Sequence, residues 1–588
     1  MTQKYESLPV MLLESADRWS SKTALLYKVR GKYQQVLYRD LLHRVHEVAA
    51  ALLSAGVSPG DHVAIMSENC PEWAYVDWAV LSLGAVTVPL YPTLMPEQIG
   101  HILSDCGAKV VIVGDAKLSE RVKEAADRRE LKLVQIILHG ESAGCLPLHR
   151  LISEGKDTTL TYETWREGCK LVNSEECATL IYTSGTTGEP KGAMIRHESF
   201  TFLCKAILAN LPISQSDRFF SFLPLSHVYE RMAGHFLPIS CGAEIAYCES
   251  LRSMAADIIQ SKPTVILAVP RFLESVKSRI ESSVVESTWL KRKLFEMQRS
   301  RGKQRLNNKL RPCGFLCGLL DKLVASKVRD RFGGNLRFFV SGGAALPNEV
   351  AEFYGSFGLL ILQGYGLTET APVMSVNHPE RNVYSSVGEV LPGVEVMISA
   401  DREILMRGPS KMMGYYNRPQ ETSDMIDADG WLHTGDLGKL ENNRLWVTGR
   451  KKEIIVMANG KNVSPTEVEA MLKRSPYIDE AMALGDDDDW ISALIVPNFE
   501  LLKHFCQAQG LSSAHQGDIV ENRQVIALIK EQVDALNKEL PDYERVKRWK
   551  LMPEPWSIET GEITPTMKLK RGPIAEKYAA IIADLRKK

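Results

Sequence analysis

The sequence predicts an α/β protein with a large N-terminal body and a smaller mixed C-terminal one. Three observations carry this. Residues 1–270 alternate amphipathic helical spacing with short β-branched runs, the rhythm of a largely parallel sheet. From about 385 to 450 the apolar runs shorten and Gly, Pro and Asp turns multiply, which reads as a small β subdomain. Beyond Arg450 a compact α+β pattern begins. A chain of 588 residues exceeds one ordinary domain, and the boundary is placed near 450, giving domains 1–450 and 451–588.

The elements follow in order. LYRDLLHRVHEVAAALLSAGV (37–57) is an amphipathic helix stopped by Gly56, DHVAIMS (61–67) a strand, PEWAYVDWAVLSLGA (71–85) a helix and VTVPLYP (86–92) a strand. The apolar run at 78–91 is 14 residues long and broken by glycine and proline, too short to span a bilayer. AKVVIVG (108–114) and CATLIYT (177–183) are further strands, and GAMIRHESFTFLCKAILANL (192–211) has helical spacing. Residues 281–335 break the rhythm. Between Lys291 and Arg331 there are 13 Lys/Arg and three acids, interleaved with apolar residues from Trp289 to Val324. This insert is read either as a basic amphipathic segment for an anionic membrane surface or as a solvated helical insertion. The runs 386–399, 403–409 and 444–449 are short strands. A helix starts at Pro465, a strand covers 491–498, and the DDDD run before it (486–489) is an exposed turn.

Composition narrows the function classes. Hydrophobic content of 45% supports large cores, and a net charge of −1 gives no general attraction to nucleic acid. Eleven cysteines are scattered without C-x-x-C pairs, which fits a reducing cytoplasm rather than a zinc or disulfide framework. The opening MTQKYESLPVMLLESADRWS reads as neither signal nor transit peptide.

The chemistry-bearing pattern is YTSGTTGEPKG (182–192). Gly185, Gly188 and Gly192 let the backbone approach a ligand closely. Freed N–H groups and the hydroxyls of Thr183, Ser184, Thr186 and Thr187 can donate to phosphate oxygens, and Lys191 adds a charge. Strand, glycine turn and helix is the layout of a phosphate site, yet the spacing is not that of a Walker motif. QGYGLTET (363–370) presents Tyr365 between Gly364 and Gly366, where it can stack on a base, and supplies Glu369 as an oxygen ligand for Mg²⁺. VSGGAALP (340–347) is a strand feeding a glycine turn. HTGD puts Asp436 at a turn where it can accept from ribose hydroxyls, and Arg450, Lys451 and Lys452 stand at the proposed domain joint. Taken singly, His227 in LPLSHVYER reads as a satisfied core histidine and each lysine as surface charge.

In this order these segments, with EILMRGPSKMMGYYNRPQET, GWLHTGDLG, GRKKEIIVMANGKNVSP and the late TPTMKLKR, resemble the adenylate-forming superfamily of acyl-CoA synthetases, luciferases and adenylation domains. The last two segments and the long basic insert are most similar to long-chain fatty-acid–CoA ligases. The resemblance implies two doubly wound sheets and a small β-barrel-like subdomain in the large domain, and a mobile C-terminal domain. It implies a two-step reaction: a fatty carboxylate and ATP give acyl-AMP and pyrophosphate, then the CoA thiol takes the acyl group and AMP leaves. The implied roles are β- and γ-phosphate binding by 183–191, α-phosphate contact by Thr368, Mg²⁺ binding by Glu369, and adenine binding by Tyr365 near Gly343 and Ala344. Asp436 and Arg450 would hold ribose, and His227 would line the acyl site. Lys568, with Lys570 as fallback, would bridge carboxylate and α-phosphate. Lys452 matches the hinge, and Gly460 the CoA channel. Rival readings are an acyl–acyl-carrier-protein ligase, a ligase for medium-chain or aryl acids, and an acyl-AMP-binding regulator without turnover. Dimers occur in the family, so monomer and homodimer both stay open.

Overall fold

A computed structural model describes residues 6–154, 160–183, 189–306, 318, 320–458, 461–511, 515–557, 560–564 and 569–587. The chain divides into two units: one of Met1–Met397, Leu405–His433 and Glu441–Leu445, the other of Ile398–Ile404, Thr434–Leu440 and Trp446–Lys588. The small strands between about 385 and 450 are thus shared out between the units.

The first unit holds two sheets. One has eight strands in the order Gly414–Tyr415, Lys191–Arg196, Cys177–Thr183, Val86–Leu90, His62–Met66, Val110–Val113, Val134–Ile137 and Cys145–Pro147. From Cys177–Thr183 onward its neighbours run parallel. Its strands Val86–Leu90 and Val110–Val113 are wholly buried, as strands covered on both faces must be. The helix Pro71–Ser82 has proline in its first turn and buries every residue but Glu72, with Trp73 and Trp78 fully enclosed. The apolar run at 78–91 is therefore buried helix followed by buried strand. Among the described residues no helix is long and apolar enough to cross a membrane.

The other sheet has a parallel core of Thr23–Val29, Glu244–Tyr247, Arg218–Ser221, Val265–Ala268, Phe338–Ser341 and Leu360–Tyr365. Lys32–Leu37 extends it as a hairpin at one edge, and Ser375–Val376 and Gly388–Val390 add antiparallel strands at the other. Phe339, Ile361, Phe353 and Tyr354 anchor its helix-covered face.

One expectation needs correction. The segment after the glycine-rich loop is not immediately helical: Lys191–Arg196 is a strand paired antiparallel with Cys177–Thr183, and the helix begins at His197. Its apolar residues alternate, with Ala193 and Ile195 fully buried, and over six residues that period competes with helical spacing. The loop therefore joins the arms of a hairpin and does not open a helix. The insert is helical at Trp289–Leu306, but that helix has no continuous apolar stripe. It buries Phe295, Gln298 and Gly302; a Cβ at Gly302 would lie 2.2 Å from the Ser356 carbonyl, so the helix seats closely on Asn348–Ser356. Arg299 pairs with Glu281 and Glu349, and Lys303 with Glu352. Its most exposed apolar residues are Trp289 and Leu290 at the start, beside Lys291, Arg292 and Lys293 and next to exposed Val285; Leu306 is exposed at its other end.

The second unit is built on the sheet Ile478–Leu484, Ile491–Pro497 and Val546–Leu551, the first pair antiparallel and the second parallel. Helices Pro465–Leu472, Phe499–Ala508, Arg523–Asn537 and Ala579–Arg586 contribute to one apolar core drawn from Ile455 to Leu585. The acidic run 486–489 is a turn between two of these strands, with Asp487 at φ 59°.

Candidate active site

In the first unit the hairpin arms bring Thr183 opposite Lys191. The helix Pro96–Cys106 holds their ends. Tyr182 donates to Asp105 at 2.6 Å, and the His101 ring lies 3.2 Å from the Pro190 carbonyl. Gly192 packs closely here, where a Cβ would stand 3.1 Å from the Tyr182 ring. Ser184, Gly185, Thr186, Thr187 and Gly188 lie outside the described residues.

The strand Gly414–Tyr415 pairs with Ala193 and Met194 and carries Tyr415 to the same place. Lys191 Nζ stands 5.5 Å over the Tyr415 ring and 3.9 Å from Glu421. The Tyr415 hydroxyl donates to Glu369 Oε1 at 2.7 Å, and the Met412 N–H donates to the Glu369 carbonyl at 2.9 Å. Burial and Glu369 together push the Tyr415 phenol well up. Lys191 and Glu369, 178 positions apart in sequence, are thereby linked through one tyrosine. Glu369 is 9% exposed and turns a carboxylate oxygen to a charge-assisted hydrogen bond, so it is an oxygen donor of the kind Mg²⁺ takes together with substrate phosphates.

Tyr365 ends the strand Leu360–Tyr365 and is half-buried; its carbonyl accepts from Met374 N at 2.8 Å. Gly366 has no room for a side chain, since a Cβ would stand 1.9 Å from the Pro372 carbonyl, and one at Gly364 would meet the Ser375 carbonyl at 3.3 Å. Thr368 and Glu369 follow in a short 3-10 turn closed by the Thr370 hydroxyl, which accepts from Leu367 N at 2.8 Å. Gly343 adopts φ 84° just after the strand Phe338–Ser341, and it and Ala344 are exposed.

His227 is half-buried rather than part of the core. Its Nδ1 accepts from Tyr229 N at 3.1 Å, and the Tyr229 hydroxyl donates to the Val340 carbonyl at 2.8 Å, tying the His227 turn to the strand that precedes Gly343. Asn69 holds the approach to that turn: it donates to Ser221 Oγ and the Leu223 carbonyl and accepts from Leu225 N at 2.9 Å.

Behind this turn lie charged groups that reading the sequence did not select. Arg231 and Asp77 are both fully buried, 2.8 Å apart through Nε and Oδ2. Arg231 also donates to Thr179 Oγ1 at 2.7 Å, Thr179 to the Thr87 carbonyl at 2.6 Å, and Thr87 to Asp77 Oδ1 at 2.9 Å. His235 sits against the pair, and burial with the neighbouring Arg231 lowers its pKa to about 3. Glu230 is fully buried with no hydrogen bond to either oxygen, and burial raises its pKa to about 8, opposed by nearby Ser221. The signal for this network was Asp77 itself, one acid inside the apolar helix WAYVDWAV. No comparable signal marked Tyr415, whose position depends on pairing with Ala193, 222 positions away in sequence.

In the second unit Asp436, 4% exposed, takes Arg450 Nε at 3.0 Å. Arg450 is closely followed by Lys451, which reaches Glu403 at 3.1 Å; Glu403 in turn accepts from Gly435 N at 2.9 Å. This braces Gly435 and Asp436, which lie within the strand Leu432–Glu441 rather than at a turn, against the residues before exposed Lys452. Lys570 is described at the start of the helix Arg571–Lys577, and its N–H donates to the Glu562 carbonyl at 2.8 Å. Lys568 and Gly460 lie outside the described residues.

Residues 12–416 match the family model described as AMP-binding enzyme, and 452–588 match the AMP-binding enzyme C-terminal domain. The chain belongs to the AMP-binding enzyme family and is by class an acid–thiol ligase. The chain is 33% identical over 571 residues to the long-chain-fatty-acid–CoA ligase FadD15 of Mycobacterium bovis, covering 94% of this chain and 92% of the other. It is 29% identical to the peroxisomal long chain acyl-CoA synthetase 7 of Arabidopsis thaliana, covering 94% and 81%. Among solved structures it resembles the anthranilate CoA ligase AuaEII in complex with anthranoyl-AMP, with a TM-score of 0.75 and 20% identity over 99% of this chain and 98% of that one, a likeness of fold.

Proposed function

We propose that this protein is a long-chain fatty-acid–CoA ligase acting through acyl-AMP. The observation that carries the reading is the convergence of Lys191, Tyr415 and Glu369 at the ends of the 177–196 hairpin, in a chain whose relatives along nearly its full length bear that name.

In this reading the 183–191 loop receives the β- and γ-phosphates of ATP, with Lys191 supplying charge where the Tyr415 ring and Glu421 steady it. Thr368 contacts the α-phosphate. Glu369 is the residue that would hold Mg²⁺, which when bound neutralises charge on the phosphates. Tyr365, flanked by Gly364 and Gly366, receives adenine beside Gly343 and Ala344. Asp436, oriented by Arg450, accepts from ribose hydroxyls. His227 lines the acyl site, and Lys568 bridges the carboxylate and the α-phosphate as charge develops there. None of these residues makes a covalent bond to substrate; they position the reactants and stabilise charge. Lys568 must then give way to the thiol, with Lys452 as the hinge and the strip around Gly460 receiving CoA.

The test is a panel of carboxylic acids of rising chain length, with aryl acids included, assayed for pyrophosphate and AMP release with CoA as acceptor and then with holo acyl carrier protein. The reading expects long-chain acids and CoA to give the highest kcat/KM. Preference for aryl acids or for the carrier protein refutes the substrate assignment, and ADP as product refutes the reaction.

A further inference from the structure

Three metal-ligating side chains outside the site above meet at the C-terminal edge of the eight-stranded sheet. Cys70 caps the helix Pro71–Ser82 and Glu72 lies in its first turn, both beyond the strand His62–Met66. His139 follows the parallel strand Val134–Ile137, and its N–H donates to the Gly114 carbonyl at 3.0 Å, which fixes it beside the strand Val110–Val113. One ligand atom from each of the three lies within 4.8 Å of the others, and His139 Nε2 is 3.9 Å from Glu72 Oε2.

Bond lengths of about 2.0–2.3 Å to a tetrahedral ion put neighbouring ligand atoms about 3.5 Å apart. The cluster needs about 1 Å of closure, within reach of rotations about the Glu72 and His139 side chains. Glu72 and His139 have the freedom to make them, being 33% and 53% exposed in their side chains, while Cys70 is half-buried. Sulfur, nitrogen and carboxylate oxygen together suit a borderline-soft ion; Mg²⁺ and Ca²⁺ take all-oxygen sets. The helix N-terminus repels a cation, but the Glu72 carboxylate and a Cys70 thiolate place two negative charges there against a helix end worth about half a charge. On binding, the thiol proton passes to solvent. The C-terminal edge of a parallel sheet is also where α/β folds place ligands.

We propose that Cys70, Glu72 and His139 bind a zinc-type divalent cation with the fourth position open to water, and that occupancy is felt at the His227 turn through the adjacent Asn69. The link is short. Asn69 precedes the Cys70 ligand directly and makes three hydrogen bonds to the segment leading into His227.

The test titrates the full-length metal-free protein with Co²⁺ and then Zn²⁺. The wild type should bind one Co²⁺ with a thiolate-to-metal charge-transfer band, displaced by Zn²⁺. Cys70→Ser should abolish the band, and His139→Asn, at an exposed position, should weaken binding more than about 10-fold. Cys145→Ser, at another partly buried thiol, should bind as wild type. Saturating Zn²⁺ should change the KM for the fatty acid in the wild type and leave Cys70→Ser unmoved. No stoichiometric binding, or equal binding by Cys70→Ser and His139→Asn, overturns the site. Binding with no effect on the acid dependence overturns the link through Asn69.

Discussion

Tyr415→Phe removes one hydroxyl and keeps the ring. The lost contact is a 2.7 Å hydrogen bond to a carboxylate that is 9% exposed. Hydrogen bonds to charged groups contribute about 1.5–3 kcal/mol. At about 1.4 kcal/mol per decade that is about 10- to 150-fold in kcat/KM if the bond matters fully in the transition state. The ring that Lys191 lies over at 5.5 Å is preserved, and so is the backbone pairing that places residue 415, so the fold should hold. The assay is pyrophosphate release with a long-chain acid across a Mg²⁺ titration, with thermal unfolding as control. The expected result is a loss in that range, a higher Mg²⁺ requirement and a Tm lowered by only a few degrees, as the loss of one hydrogen bond in an otherwise intact fold requires. Wild-type kcat/KM together with wild-type Mg²⁺ dependence would show that Tyr415 does not orient Glu369 for the reaction.

Four further outcomes are expected. Lys568→Ala should reduce acyl-AMP formation by about 10²–10³-fold while thioester formation from supplied acyl-AMP continues; equal losses in both half-reactions would exclude the bridging role. Lys452→Pro should spare adenylation and block thiolation, and unchanged overall turnover would refute the hinge. Glu230→Gln probes pH dependence: with its pKa raised from 4.5 to about 8, folded Glu230 retains a proton the unfolded chain releases, so its contribution is full below 4.5 and is lost as pH rises through 8. Relative to the variant, wild-type Tm should therefore fall from pH 5 to pH 9, whereas a difference constant with pH removes the argument. Exchanging Lys291, Arg292 and Lys293 for Gln should weaken sedimentation with anionic vesicles in a salt-dependent way; a wild type that does not sediment makes the insert a solvated element.

Much of the fold was legible because its signals are local. The helix Tyr38–Ser54 ends just before Gly56 at φ 91°, and the buried strands read as unbroken β-branched runs. The hairpin arm Lys191–Arg196 was not legible, since six residues of mixed spacing fit two periods and the pairing that decides between them is tertiary. The candidate site divides along the same line. Gly366 and Gly343 follow from backbone demands that sequence records directly, in the absent side chain. Tyr415, Asp105 and Asn69 act through partners 46 to 156 positions away, and nothing at those positions alone reports the meeting.

The Arg231–Asp77 pair carries a consequence for how this sequence can change over time. Removing either member alone leaves an unpaired buried charge at about 3–5 kcal/mol, a large share of the about 5–15 kcal/mol that holds a domain folded. Replacing both by apolar residues of similar volume is often neutral. Each route from one state to the other therefore passes through a damaged intermediate, and single substitutions at 77 or 231 should be purged while paired ones persist. Among related chains the two positions should change together or stay as they are, with Thr87 and Thr179 free to drift only where the pair has gone.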